Sequence, residues 1–185
     1  GQHDLPYHRY DQIHKSPYWT LVEAGKLTDL KPNGFHPVGR LMLHAFPWGH
    51  EVRPTNSHGL DGFNVAVVHA YCWHKGHSYT GAPAEKAAMA WGKKLGGYQF
   101  ACFGDNHKGF DLEFSDGTAL VNTGTLMRRK SDEGEYSPRA YLLWSDGAVQ
   151  AKKLDTSEDV CLEAEQVKKK VVEALDATEM LEILS

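Results

Sequence analysis

Histidine is the residue type to start from. Eleven of the 185 residues are His, and imidazole is both the commonest protein metal ligand and an acid–base group titrating near neutrality. Placement narrows the chemistry. His69 closes the run FNVAVVH at residues 63–69, while Asp105 and His107 follow the run YQFACF in Gly104-Asp105-Asn106-His107. Imidazole nitrogen and carboxylate oxygen are donors suited to Zn, Mn or Fe. Asp105 and His107 stand two residues apart, so in an extended loop both can turn toward one centre. Gly1-Gln2-His3-Asp4 has the same donor character. Taken singly, each has an ordinary alternative: a His at a strand end faces solvent or caps a chain turn, and Gly-Asp-Asn-His is common turn composition.

The elements that must hold these residues are short. Ser16-Pro17 opens a helix, with Ser as the cap, Pro at the first helical position and Gly25 as the stop. Lys31-Pro32-Asn33-Gly34 is a turn signal. Arg40–Phe46 reads as a strand and residues 47–61 as a loop. Phe63–His69 is the clearest strand, a β-branched run of the kind buried on both faces. Pro83–Leu95 reads as a helix closed by Gly96-Gly97, and Tyr98–Phe103 as the next strand. Four short strands follow, Phe110–Phe114, Ala119–Val121, Arg139–Trp144 and Ala148–Leu154, with turns at Ser115-Asp116-Gly117 and Ser145-Asp146-Gly147. Loose apolar spacing through Val160, Val167, Val171, Leu175 and Leu184 reads as a helical tail, with Lys168–Lys170 on its wet face. The expected organisation is an α/β (α+β) layered unit over residues 1–154 and a helical tail over 155–185.

Composition excludes broad classes. With 41% apolar and 24% charged residues the chain is neither collagen-like nor wholly disordered. No run approaches the roughly 18 apolar residues of a membrane span. A formal charge of −4 argues against a general polyanion binder. Three cysteines, Cys72, Cys102 and Cys161, are sparse and odd in number, which points to a reducing, cytoplasmic setting rather than a disulfide framework. No signal peptide is visible at the N-terminus.

The joint order of the donors carries more than any one of them. GQHD at residues 1–4, a strand-borne His69, GDNH at 104–107 and NTGT at 122–125 resemble the later half of the calcineurin-like metallophosphoesterases. LMRR at 126–129 resembles the nuclease-like side of that family. The resemblance implies part of a layered β-sandwich with flanking helices, and hydrolysis of phosphodiester bonds, nucleic acid included. It makes His3 the catalytic acid or electrostatic partner at the phosphate. It makes Gln2, His69, Asp105 and His107 metal ligands for divalent Mn, Zn or Fe. Asp105 stands where the family usually has His, and Gln2 where it has Asn. A carboxylate at Asp105 favours a harder ion such as Mn or Mg. The family's upstream D-x-H and G-D-x-x-D motifs have no counterpart here. The expectation is therefore a C-terminal portion holding at most one weak ion by itself, completed by a separate N-terminal half or by self-association.

Two rival readings stay open. One is a catalytically inactive, fold-retaining binding or structural module. The other is a mononuclear metal protein in which His74 and His77 converge with His69. Arg128-Arg129-Lys130 is either a phosphate contact or a solvated turn. Trp48 with His50 lines a cleft or covers the core edge.

Overall fold

The computed structural model describes residues 4–56, 63–127, 136–144 and 146–159. Gln2, His3, Arg128–Lys130 and the expected tail helix beyond Asp159 lie outside these residues. Within them the fold is mixed α/β. Two 3-10 segments, Pro6–His8 and Tyr10–Lys15, lead into helix α1 (Pro17–Glu23). Ser16 caps α1 as expected, its hydroxyl accepting from the Trp19 amide at 3.1 Å, and Gly25 ends it at φ 65°.

Six strands form the main sheet: β1 (Phe35–Val38), β2 (Leu41–Phe46), β3 (Phe63–His69), β4 (Phe100–Gly104), β5 (Phe110–Glu113) and β6 (Ala119–Asn122). Their spatial order is β1-β2-β3-β4-β6-β5. The four central strands β2, β3, β4 and β6 run parallel, and β1 and β5 pair antiparallel at the two edges. β7 (Arg139–Leu143) and β8 (Val149–Lys153) make a separate antiparallel hairpin. Both Asp-Gly turns form where expected, Asp116 accepting from the Thr118 amide and Asp146 from the Ala148 amide, each at 3.0 Å.

The run at Val65–Val68 is continuously apolar because both sheet faces are covered. On one face Ala66, Val68, Ala101, Phe103 and Leu120 pack with Ala88, Trp91, Leu95 and Tyr98 from the β3-to-β4 crossover. On the other, Val65, Phe100 and Val121 meet Tyr141, Leu143 and Val149 of the hairpin. The alternation within β3, β4 and β6 is the period-2 rule of a strand. Helix, sheet and hairpin thus form three layers.

Two expectations are corrected. The helix over Pro83–Leu95 is broken into a 3-10 turn (Ala84–Lys86) and a short α2 (Ala88–Gly92), with Ala87 extended between them at ψ 146°. The cause is non-local: Trp73 bridges to Ala87 as in a parallel ladder. Its amide donates to the Lys86 carbonyl at 3.1 Å, and its carbonyl accepts from the Ala88 amide at 2.8 Å. The indole adds a bond to the Pro83 carbonyl at 2.9 Å. Strand β1 was not expected. Its Pro37 has no amide to donate, and an edge strand is where a sheet tolerates that. Among the described residues no helix is long and apolar enough to cross a membrane.

Candidate functional site

Parallel strands deliver their following loops to one end of the sheet, where ligands of open α/β sheets collect. Here β3 and β4 are in a register that sets His69 beside Gly104. Asp105 therefore leaves its strand next to His69, and His69 Nε2 lies 4.0 Å from Asp105 Oδ1. Both side chains are about a third exposed, at 33% and 28%, so solvent and a ligand reach them. The imidazole lies close to Gly104, where an added Cβ would sit 3.9 Å from Nδ1. Asp105 adopts φ 133°, a region that L side chains rarely enter. Such strain persists where surrounding structure over-determines it, and it gathers at functional sites.

What over-determines it is a hydrogen-bonded clamp one residue on. Asn106 is buried. Its Nδ2 donates to the Cys72 carbonyl at 2.8 Å and the His77 carbonyl at 2.6 Å, and its Oδ1 accepts from the Lys108 amide at 3.0 Å. The loop after β4 is thereby tied to the loop after β3. Asn122, fully buried at the end of β6, donates from Nδ2 to the carbonyls of Asn106 at 2.8 Å and Lys108 at 3.1 Å. The NTGT segment continues alongside: the Thr123 amide bonds to the Phe103 carbonyl at 3.2 Å and the Thr125 amide to the His107 carbonyl at 3.0 Å. Gly124, at φ 71°, and Gly109 approach so closely that a Cβ on Gly124 would meet the Gly109 amide at 2.6 Å. Sequence composition marked these loops as turns but did not single out Asn106 as the residue joining them.

The structure brings His69 and Asp105 together. His107 is exposed two residues further on and does not join them in a three-donor set: among the described residues no three His, Cys, Asp or Glu side chains are grouped to hold an ion. His74 and His77 do not converge with His69 either. Their rings flank Phe110, with centroids 6.0 and 5.7 Å from it. Burial pushes the His77 pKa down, and the neighbouring His74, Arg139 and Lys108 push it the same way. Tyr71, which spacing did not point to, lies near Asp105. Its phenol is raised mainly by burial; the hydrogen bond with Tyr79 works against that, and the charges of Tyr79 and Asp105 add to it.

In donor type, an imidazole nitrogen and an accessible carboxylate suit a divalent ion of borderline hardness. Tetrahedral bonds of about 2.0–2.2 Å set two donors about 3.3–3.6 Å apart, so an ion held by both would draw them closer than the 4.0 Å seen here. Among the described residues, cysteine chemistry is a poor rival. Burial raises the Cys72 thiol to about 12 and the Cys102 thiol to about 11, so neither supplies a thiolate near neutrality. Comparison with protein-family models, curated proteins and solved structures finds no match to the chain.

Proposed function

We propose that this chain is part of a metal-dependent phosphodiester hydrolase of the metallophosphoesterase type, nucleic acid being within its substrate class. The observation that carries the reading is the meeting of His69 and Asp105 at the carboxyl ends of adjacent parallel strands, with Asp105 held in a strained backbone. His69 and Asp105 would hold the ion, with Gln2 a further ligand that the resemblance implies; the resemblance implies His107 as well, which would have to swing in from its exposed position to reach the pair. The ion's contribution is Lewis-acid activation of the phosphoryl group and of water. Hydrolysis joins water's oxygen to phosphorus, breaks the bond to the leaving alcohol and returns a proton to that oxygen. His3 is the proposed proton source, a role for which a near-neutral pKa is suited. Lys108 and Arg139, close enough to His77 to depress it, add positive potential near this end of the sheet.

The test is metal stoichiometry of the full chain after equilibration with Mn and then Zn, followed by hydrolysis of bis(p-nitrophenyl) phosphate. Retained ion and turnover, both lost in His69→Ala, support the reading. Retained ion without turnover leaves a fold-retaining binding module, which the substitutions at Gln2 and Asp105 favour. No retained ion at all refutes the metal reading.

We also propose that the working form is larger than one chain, through self-association or a separate N-terminal half. Edge strand β1 exposes Phe35 and Val38, and open edges of this kind invite pairing. Light scattering that shows only monomer at high concentration counts against self-association. The free thiols of Cys72 and Cys102 fit a reducing, cytoplasmic setting, which fractionation of the source cells tests.

A further inference from the structure

The loop after β3 is fastened along its length. The carbonyls of Cys72 and His77 accept from Asn106, the chain neighbour of Asp105. Trp73 is held by its bridge to Ala87 and by the bond from its indole to the Pro83 carbonyl. Further out, the Tyr79 amide donates to the Tyr71 hydroxyl at 3.3 Å, and the Tyr79 carbonyl accepts from the Ala82 amide at 3.1 Å.

Tyr71 connects this outer part to the donor pair. It follows His69 by two residues, and the charge of Asp105 reaches its phenol. The Tyr79 ring lies against the Tyr71 ring, with centroids 5.1 Å apart and planes tilted by 52°. One side chain therefore stands between Tyr79 and the surroundings of Asp105. The other rings of the loop are turned inward: His74 and His77 flank Phe110, and Trp73 is half-buried. Tyr79 is the large side chain of this loop left in water, at 56% exposure. A single exposed ring needs no explanation by itself. Here the backbone beneath it is fixed, so covering its open face costs little further ordering.

We propose that Tyr79, backed by Tyr71, is a wall of the His69–Asp105 site that receives a flat aromatic group carried by the phosphoester, so that aromatic esters are selected over aliphatic ones. The place of the phosphate rests on the phosphodiester reading above, while the preference for a ring belongs to Tyr79. Aromatic faces attract beyond the area they bury. Stacking on a ring is also tolerant of which base is presented, so the wall selects flatness and not base identity.

The experiment is ligand-observed NMR titration of the full chain with phenyl-, cyclohexyl- and methylphosphonate, in Zn and in EDTA. Their P–C bond does not hydrolyse, and they differ only in the group on phosphorus. In Zn, phenylphosphonate binds roughly fivefold or more tightly than methylphosphonate. It binds roughly threefold more tightly than cyclohexylphosphonate, which matches its bulk but is not flat. Tyr79→Leu, which keeps an apolar side chain, removes the preference over cyclohexylphosphonate, and Tyr79→Phe retains it. Where bis(p-nitrophenyl) phosphate is turned over, Tyr79→Leu raises its KM by roughly threefold or more and leaves kcat unchanged. Turnover with all three phosphonates bound alike refutes the wall and leaves the hydrolase standing. A phenyl preference that Tyr79→Leu removes, in a chain with neither retained ion nor turnover, upholds the wall and refutes the hydrolase. A preference unchanged in Tyr79→Leu, or no phosphonate bound in either buffer, overturns the proposal.

Discussion

Asn106→Ala removes the clamp between the loops after β3 and β4, and its cost follows from the three hydrogen bonds at stake. Bonds to the His77 carbonyl and from the Lys108 amide involve half-buried partners. Water can replace them in part, at about 1 kcal/mol each. The Cys72 carbonyl belongs to a fully buried residue, so its loss carries a larger desolvation penalty of about 2 kcal/mol. The total is about 4 kcal/mol. That corresponds to a fall in Tm of roughly 8–16 °C for a domain of this size. Urea unfolding followed by tryptophan fluorescence measures it, since Trp91 is buried in the core beside this layer. Asn106→Asp is the control. It keeps the acceptor for Lys108 but sets a carboxylate oxygen against two carbonyls, so it is at least as damaging. A loss under about 1 kcal/mol for Asn106→Ala, or a tolerated Asn106→Asp, refutes the clamp.

Other outcomes follow from the same coordinates. Asp105→Gly relieves a φ of 133°, worth about 1–3 kcal/mol. Gly's unfolded-state entropy returns about 0.5–1 kcal/mol of that, and the exposed pair with His69 at most about 1. Stability therefore changes little or rises, by urea unfolding, while metal retention falls at least about tenfold; a loss above about 2 kcal/mol contradicts the strain argument. His44 is buried, edge-on to Phe35 at 4.9 Å and Tyr98 at 5.0 Å. Burial lowers its pKa below 6.5 despite the bond to Asn64. The unfolded chain thus takes up the proton first. The stability contribution is complete above pH 6.5 and is lost as pH falls through the folded pKa, at no more than about 1.4 kcal/mol per pH unit per group. His77 acts in the same direction. Chemical denaturation between pH 5 and 8 shows a shallower acid slope in His44→Gln; an unchanged slope removes His44 from the account.

Much of this architecture was legible in the residues. β3 matched its apolar run from Phe63 to His69, and the Asp-Gly turns and the Ser16 cap carry their chemistry locally. The meeting of His69 with Asp105 was legible too, because strand ends in a parallel sheet bring such residues to one edge. What was not legible depends on distant backbone. The break at Ala87 comes from Trp73 across the crossover. Pro37 hid β1, since only its edge position makes a proline acceptable there. Asn106 looked like a turn residue because its carbonyl partners lie 34 and 29 residues away. His107 shares the loop of Asp105 but not its partnership with His69, because the loop bends instead of extending after Asp105.

The parallel register of β3 on β4 also bears on how the chain finds its fold. His69 and Asp105 meet only once residues 70–99 have crossed over and the two strands have paired in parallel, a slow kind of contact to make. A slip of one residue reverses the face to which every side chain of β3 points, and His69 then leaves Asp105. An ion gripped by both donors stabilises the correct pairing alone, by an amount that grows with the logarithm of its concentration over its Kd. If the proposed ion binds, refolding with Mn present gives fewer slipped and aggregated chains than refolding in EDTA, the ion then serving as a template for strand alignment; equal yields refute that role.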